Sequence, residues 1–432
     1  MAVADSQPEL PEAVDTVVIG GGIIGAATAY YLADRGYSVA LCEKGRIGAE
    51  QSGRNQGWCR VQKRAPGELP LILESMRIWK GLDAELQENT GFTESGILTL
   101  YRNEHEAAEA QEWLAKAQPY QLDIRMVSGK ELAALVPGAA TQWKLGLYSP
   151  GDGRAEPALA APAYAKAAAR KGASILTNCA VRGIETTGGR VSGAVTERGT
   201  IRCSSIVLAG GVWSTMFCRT LGIRLPQLKT MSSLIRTGPI EGGPSVSIKG
   251  PDFSIRKRLD GGYTIGFGAW NRSEIVPDSF RYFFDYLPML IKGENSLKLR
   301  VWRRSLAETL QRTSWALDEV SPFEKVRVLD PTPSNSDIAS AIRNIRREFP
   351  IFDRMTIAHR WAGLIDVMPD TQPVISQVAS LPGFYISSGY SGHGFGIGPA
   401  AGRLTADLVD GTKPLVDLST FRLQRFRKAE AA

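Results

Sequence analysis

The stretch VVIGGGIIGAATAYYLADRGYSVALCEK, residues 17–44, decides the fold. Val17–Ile19 read as a short buried strand, followed by a glycine turn, a helix from about Ile23, and a second strand ending in Glu43 and Lys44. Gly20, Gly22 and Gly25 carry the G-x-G-x-x-G spacing. The first allows the tight turn, the second lets backbone approach a pyrophosphate, and the third lets the helix pack close to the strand. The helix then aims the free N–H groups of its first turn, around Ile23 and Ile24, at the phosphates. Glu43 suits an acid gripping a ribose diol. A glycine fingerprint alone is also compatible with an ordinary strand–helix turn, but here strand, helix and acid all stand where an adenine dinucleotide needs them.

A chain of 432 residues is too long for one simple core, so two domains are expected. Hydrophobic residues make up 43% and charged residues 22%, as in a water-soluble globular protein, and the net charge is +7. The basic residues fall in short groups: Arg256, Lys257 and Arg258; Arg300, Arg303 and Arg304; Arg343, Arg346 and Arg347. These read as solvated faces rather than a nucleic-acid surface, with some attraction for anionic substrates. Five cysteines without CxxC spacing argue against a disulfide framework or zinc site, and His105, His359 and His393 are too scattered for a metal. Residues 1–14 are expected to form a flexible lead. They lack the basic start and apolar run of a signal peptide, and no stretch approaches the ~20 apolar residues of a membrane span. A reduced, cytoplasmic setting follows as the expectation.

Along the chain, 48–64 reads as a long loop, 68–87 and 105–117 as helices, 96–101 as a strand and 130–138 as a short helix. Residues 159–185 read as an alanine-rich helix, a glycine stop and a strand. Ile206–Ala209 form a buried strand running into Gly210 and Gly211, which brings a backbone loop toward a ligand. Residues 228–270 alternate in the β manner, GGYTIGFG (261–268) reads as a hairpin, and 276–350 are helical. SGYSGHGFGIGPAAGRLTADLV (388–409) reads as a glycine loop entering a helix, with Pro399 near its first turn. Nucleotide-binding pieces thus lie at the start, middle and end. The predicted architecture is α/β: a discontinuous Rossmann-like cofactor-binding domain (15–90, 155–227 and 355–432) with an inserted α+β substrate domain on a mixed or antiparallel sheet (91–154 and 228–354).

Together IGGGIIG (19–25), Glu43, SGRNQG (52–57), Val181, LAGGVWS (208–214), WAGLIDVMPDTQPVI (361–375) and GYSGHGFGIGP (389–399) resemble the D-amino-acid-oxidase-like family of FAD-dependent oxidoreductases. The sarcosine, proline and glycine oxidase or dehydrogenase branches are the most similar. The resemblance implies FAD with its AMP end at Gly20–Gly25, Glu43 and Lys44, and with Val181 meeting the adenine. The loop Ser52, Gly53, Arg54, Asn55, Gln56 and Gly57 and the loop Gly392, His393, Gly394, Phe395, Gly396 and Ile397 would lie against the flavin ring, with Ala209, Gly210, Trp213 and Gly363 lining the site. A helix N-terminus beside the ring favours its reduced, negatively charged form. No second glycine fingerprint for a nicotinamide cofactor is present.

The implied reaction oxidises a C–N bond in an amine or amino acid by hydride transfer to flavin N5, giving an imine that hydrolyses. FAD-dependent 2-hydroxy-acid oxidation, or a flavin subunit of a hetero-oligomeric dehydrogenase, are the alternatives. The substrate is a small molecule, the acceptor oxygen or a quinone or carrier, and an oligomer is possible. His393, Arg60, Asp366 and Trp361 are the candidate catalytic residues. Ile365 stands where many relatives have a carboxylate-gripping arginine. Replacement cations are Arg60, Lys63, Arg256 and Arg258, with Arg60 favoured because it follows the flavin loop. Alternatively, Asp366 or the faces of Trp58 and Trp361 could meet a cationic amine. Thr264 stands roughly where monomeric sarcosine oxidases carry an oxygen-activating lysine, which tilts the reading toward a dehydrogenase. No cysteine follows Cys218, which points to noncovalent flavin.

Overall fold

The computed structural model describes residues 9–292 and 297–426. A six-stranded sheet runs in the order Val374–Gln377, Phe384–Ser388, Ser205–Leu208, Thr16–Ile19, Val39–Cys42, Ser174–Leu176. Its strands are parallel apart from the antiparallel edge Val374–Gln377. Strands Thr16–Ile19 and Val39–Cys42 are buried at every residue, the mark of a parallel sheet covered on both faces. Helix Ile23–Asp34 lies between helices Pro157–Arg170 and Gly394–Asp410 and is buried from Ile23 to Ala33, so it is apolar all round rather than amphipathic. Gly402 makes this approach possible: a Cβ there would lie 2.4 Å from Ala27 Cβ.

A second, ten-stranded mixed sheet carries Leu297–Arg300, Asn271–Glu274, Leu228–Thr237, Tyr263–Gly266, Ser254–Lys257, Ser247–Lys249, Ile97–Tyr101, Leu145–Ser149 and Arg125–Val127 in that order. Ile357–Val367 pairs antiparallel along the whole length of Leu228–Thr237. This long strand therefore joins the large sheet rather than the nucleotide-binding sheet that the 355–432 grouping suggested. Its alternation explains why: Ala362, Leu364 and Asp366 are buried on one face, while Trp361, Gly363 and Ile365 on the other are half-buried.

Other differences are local. The expected loop 48–64 contains a short helix, Gln51–Arg54, and a strand, Trp58–Cys59, paired with Gly153–Arg154. Asn55 closes the turn between them, donating to Ser52 O (2.8 Å) and accepting from Gly57 N (2.7 Å). The GGYTIGFG segment supplies only one arm of a hairpin, Tyr263–Gly266; the turn lies upstream, where Arg258 N donates to Gly262 O at 2.8 Å. Of the 1–14 lead, residues 1–8 lie outside the described residues, while Arg202 N donates to Glu12 O and Val14 N to Arg202 O, both at 3.0 Å. The last long helix starts at Gly394, so Pro399 sits inside it rather than in its first turn. The helix tolerates the proline because the long helix Leu69–Leu86 helps satisfy the disturbed ladder: Ser75 Oγ and Trp79 Nε1 donate to Gly396 O at 2.7 and 2.8 Å. On that long helix, Gly81 is exposed with open space around a would-be Cβ. Gly81→Ala is expected to stabilise the protein by about 0.5–1 kcal/mol, read as a raised urea midpoint.

Candidate active site

The turn after the first strand is built by contact, not composition. Gly20 has φ +108°, and a Cβ there would lie 2.5 Å from Ala209 O. A Cβ on Gly25 would lie 2.0 Å from Gly20 O, so only glycine lets helix Ile23–Asp34 sit on the strand. Ser52 Oγ accepts from Ile23 N at 2.9 Å, tying the 52–57 loop to the helix N-terminus. Glu43 accepts from Gly21 N and Gly45 N, both at 2.7 Å. Burial raises its pKa against the pull of those two bonds. Beside it, Lys44 binds Glu50 (2.7 Å) and lies 4.4 Å over the Trp213 ring, whose Nε1 donates to Glu50 Oε2 at 3.0 Å.

A cavity of 660 Å³ joins this end to the face of the ten-stranded sheet. Gly20, Gly22, Ile23, Ile24, Glu43 and Lys44 line it, with Val181, Ala209, Gly210 and Trp213. Ser52, Arg54, Asn55 and Gln56 line it from the second loop, and Gly363, Gly392, His393, Gly394 and Phe395 from the chain's last third. Arg60 and Asp366 also reach it. Six predicted residues stand behind the wall. Gly25 and Gly53 pack against Gly20 O and Gly48 O, and Gly57 against Ala155 O and the Arg256 guanidinium. Gly396 lies on the Trp58–Cys59 backbone and Ile397 is fully buried in the helix. Trp361 donates to Arg54 O (2.9 Å) and stacks on His359, with ring centroids 5.6 Å apart. Gly25 does the close packing that its place in the G-x-G-x-x-G spacing assigns it, whereas Gly53, Gly57 and Gly396 carry no such mark, because a glycine-rich loop contains both ligand-facing positions and positions that permit close packing.

The chemistry of the wall fits FAD. Gln56 Oε1, Trp58 Nε1, Arg64 Nη1 and Thr230 Oγ1 are buried without a hydrogen-bond partner, and all four residues line this cavity. Buried polar atoms normally have partners, and a ligand rich in donors and acceptors provides them. Glu43, the Ile23 helix N-terminus and the Gly394 helix N-terminus would hold, in order, ribose hydroxyls, phosphates and the electron-rich edge of the ring.

On another part of the wall, His393 Nδ1 lies 3.2 Å from the fully buried Glu68 carboxylate. A carboxylate only accepts, so Nδ1 carries the proton and Nε2 remains an acceptor. Burial works against the Glu68 charge, but His393, Arg64 and Arg60 outweigh it and hold the carboxyl below its ordinary pKa. Burial, reinforced by Arg64, lowers that of the His393 ring. The pair therefore stands as ionised Glu68 and neutral His393 near neutral pH.

Asp152 accepts from Val61 N (2.8 Å), and burial pushes its pKa up to about 6. The unfolded chain releases this proton near pH 4, so between these values the folded state binds the extra proton and its stability falls as pH rises. Asp152→Asn is expected to remove about 3 kcal/mol or less of that pH dependence, measured as the difference between wild-type and variant urea midpoints at pH 4.5 and 6.5. An identical slope in both proteins counts against it.

Several candidates are already committed. Asp366 accepts from Gln51 Nε2 (2.8 Å), Gln227 Nε2 (3.1 Å), Gly389 N (3.0 Å) and Tyr390 N (3.3 Å). Three of these donors meet Oδ2 and one meets Oδ1, so the carboxylate ties together the loops that the donors come from. Arg256 is fully buried in a two-pronged pair with Glu156 (2.8 and 3.3 Å), Arg258 binds Asp260 (3.2 Å), and Thr264 lies behind both, accepting from each at 3.4 Å. Sequence reasoning missed Glu50, Gln51 and Arg64. The first two directly precede the SGRNQG loop and Arg64 follows Arg60 by one helical turn's spacing, but no motif marks them.

Residues 15–408 match the DAO family of FAD dependent oxidoreductases, and the chain belongs to this family. The fold and cavity are those of an FAD-dependent oxidoreductase. L-Amino acid deaminase from Proteus myxofaciens superposes with a TM-score of 0.94 at 35% identity, over 99% of this chain and 96% of that one. The chain is 26% identical to sarcosine oxidase subunit beta of Rhizobium meliloti, covering 99% of this chain and 92% of that protein. It is 25% identical to human mitochondrial sarcosine dehydrogenase, covering 99% of this chain but 43% of the longer relative. Among the described residues no helix is long and apolar enough to cross a membrane.

Proposed function

We propose that this protein oxidises the C–N bond of an amine or amino acid, leaving an imine that water hydrolyses to a carbonyl compound. One observation carries the reading: a single cavity connects the dinucleotide turn to Thr230, Ser232, Leu234, Gly363 and Ile365 on the large sheet. Relatives named for sarcosine, glycine and L-amino acids support it. When bound, FAD supplies the hydride acceptor. The chain's part is positional: Gly20, Gly22 and Glu43 hold the nucleotide, and the 52–57 and 392–395 loops frame the ring. The Thr230 and Ser232 hydroxyls orient the substrate on the sheet face. His393 Nε2, its tautomer set by Glu68, is placed to hold a proton. Here the discontinuous unit binds cofactor noncovalently and the ten-stranded sheet binds substrate, with oxygen, a quinone or a carrier as acceptor.

The test is anaerobic titration of the yellow holoenzyme with amines, amino acids and 2-hydroxy acids, followed by air. Bleaching by an amine or amino acid is expected; bleaching by hydroxy acids alone rejects the reading. Reoxidation in air separates oxidase from dehydrogenase.

A second reading, that the chain works as the flavin subunit of a larger assembly, is favoured by exposed side chains on one segment. Phe284, Ile291, Val301, Trp302 and Leu306 are 82, 76, 73, 57 and 64% exposed, and large apolar side chains left in water are the material of a protein interface. The solution mass of the purified protein decides: a monomer whose mass is unchanged by co-expressed neighbours removes this reading.

A further inference from the structure

Segment 311–333 follows the edge of the ten-stranded sheet in the chain, yet it lies along the nucleotide end of the cavity, where Glu43, Lys44 and Val181 form the wall. Its helical turn Pro322–Lys325 starts at Ser321, whose N–H donates to Glu324 Oε1 at 2.8 Å. Phe323 from this turn lines the cavity and meets Trp213 edge-on, with ring centroids 5.9 Å apart. Beyond the turn the chain crosses Gly45 so closely that a Cβ there would lie 2.3 Å from Arg327 O. Lys44 Nζ donates to Val326 O (2.7 Å) and Arg327 O (3.1 Å), and Arg327 Nη1 donates back to Lys44 O (3.1 Å). Leu329 N donates to Glu50 Oε1 at 3.0 Å. Three ion pairs complete the attachment: Glu324 with Arg182 (2.9 Å), Arg327 with Glu197, and Asp330 with Arg54 on the loop that frames the ring. By contrast, the backbone–backbone hydrogen bonds of 311–333 are local, as in Glu319 N to Ala316 O (3.0 Å) and Val326 N to Pro322 O (3.2 Å), and neither sheet includes any part of it. Pro331 and Pro333 have no N–H to give a ladder.

We propose that 321–330 is a clasp over the adenosine half of FAD, which must open for the cofactor to enter or leave, and that Glu324, Arg327 and Asp330 hold it shut. A stretch fixed by side chains and charges opens at lower cost than one laced into a sheet. Its fastenings reach both ends of the cofactor site: Lys44 directly follows Glu43, the residue for the ribose, and Arg54 stands in the ring loop. Salt screens exposed and half-exposed ion pairs, so the clasp loosens as ionic strength rises. The inference goes beyond the proposed C–N oxidation and holds whichever substrate is oxidised.

The experiment measures FAD exchange instead of turnover. Holoenzyme is mixed with excess isotopically labelled FAD, and the label gained by the protein is timed. Raising salt from about 0.05 M to about 0.5 M is expected to speed release from wild type at least about threefold. Arg327→Met at low salt is expected to release FAD at least about fivefold faster than wild type and to respond less to salt. Asp330→Asn is expected to act in the same sense and more weakly. Arg125→Met, which breaks exposed pairs with Asp123 and Glu131 on the far edge of the large sheet, is expected to stay within about twofold of wild type. Uptake of FAD by the full-length apoprotein separates a clasp from a distorted site. A clasp that opens more easily lets FAD in as fast as before or faster, so slower uptake by Arg327→Met overturns the proposal. Release from wild type that ignores salt also overturns it, as does release unchanged in both variants. Where Arg327→Met fails to fold, Asp330→Asn and the salt series on wild type decide. A holoenzyme bleached by an amine or amino acid but indifferent to salt in its FAD release loses the clasp and keeps the reaction; one that is not bleached but releases FAD as expected keeps the clasp and loses the reaction.

Discussion

Gly25→Val is expected to yield protein that folds poorly and purifies without bound flavin. The reason is local and severe. Even one carbon at this position would sit 2.0 Å from Gly20 O, far inside van der Waals contact, and valine adds two more. Helix Ile23–Asp34 must then move off the strand, carrying with it the N–H groups of its first turn. Neighbours cannot absorb the shift, because the helix is buried from Ile23 to Ala33 and wedged between two others. Overpacking of this kind costs about 1–3 kcal/mol before the phosphate contacts are counted. Losing those contacts as well predicts a fall in FAD affinity of at least about 100-fold. Reconstitution of apoprotein with FAD, followed by the flavin absorbance, measures it; a normally yellow variant contradicts the assignment of this turn. Gly81→Ala serves as the control for adding a methyl group where nothing stands in its way.

Asp366→Ala carries the second largest expected effect. Its carboxylate collects Gln51, Gln227 and the backbone N–H groups of Gly389 and Tyr390, and it is 2% exposed. Removal strands four donors in a dry place, each at about 1–3 kcal/mol where water cannot reach. A total loss of about 3–5 kcal/mol is expected, since some of those donors will find water. The damage also has a direction. Gln51 precedes the 52–57 loop and Gly389 opens the 389–393 loop, so the two loops that frame the flavin lose their shared anchor. Asp366→Asn keeps one acceptor oxygen and is expected to fall between wild type and alanine. Urea denaturation and retained flavin per protein provide the two readouts. A variant that loses substrate affinity while keeping full stability and flavin would instead return Asp366 to the role of amine partner.

These predictions mark how far reading the chain goes. The dinucleotide turn was legible because its requirements are local: a strand, three glycines at set spacing, a helix and an acid occur within 28 consecutive residues. The closing glycine loop was legible for the same reason, and so was the discontinuous arrangement, since pieces of one motif set recur at both ends. Positions within the motifs were less so. Gly53, Gly57 and Gly396 look identical in sequence to Gly392 and Gly394, yet they pack against backbone instead of facing the cavity.

What the amino-acid sequence determined by itself is the class of cofactor and the Rossmann-like frame, because turn geometry and helix entry are set by neighbours in the chain. What only the tertiary structure decided is which charges are free. Arg54, Arg60, Arg64 and Arg256 are equivalent as letters. Arg256 is neutralised by Glu156, one hundred residues away, and Arg54 pairs with Asp330 and donates to Ala362 O, over three hundred residues away. Arg64 and Arg256 both end buried with one donor unspent, Nη1 of the first and Nε of the second. Partnering over such separations depends on how two sheets meet, and no local pattern encodes that.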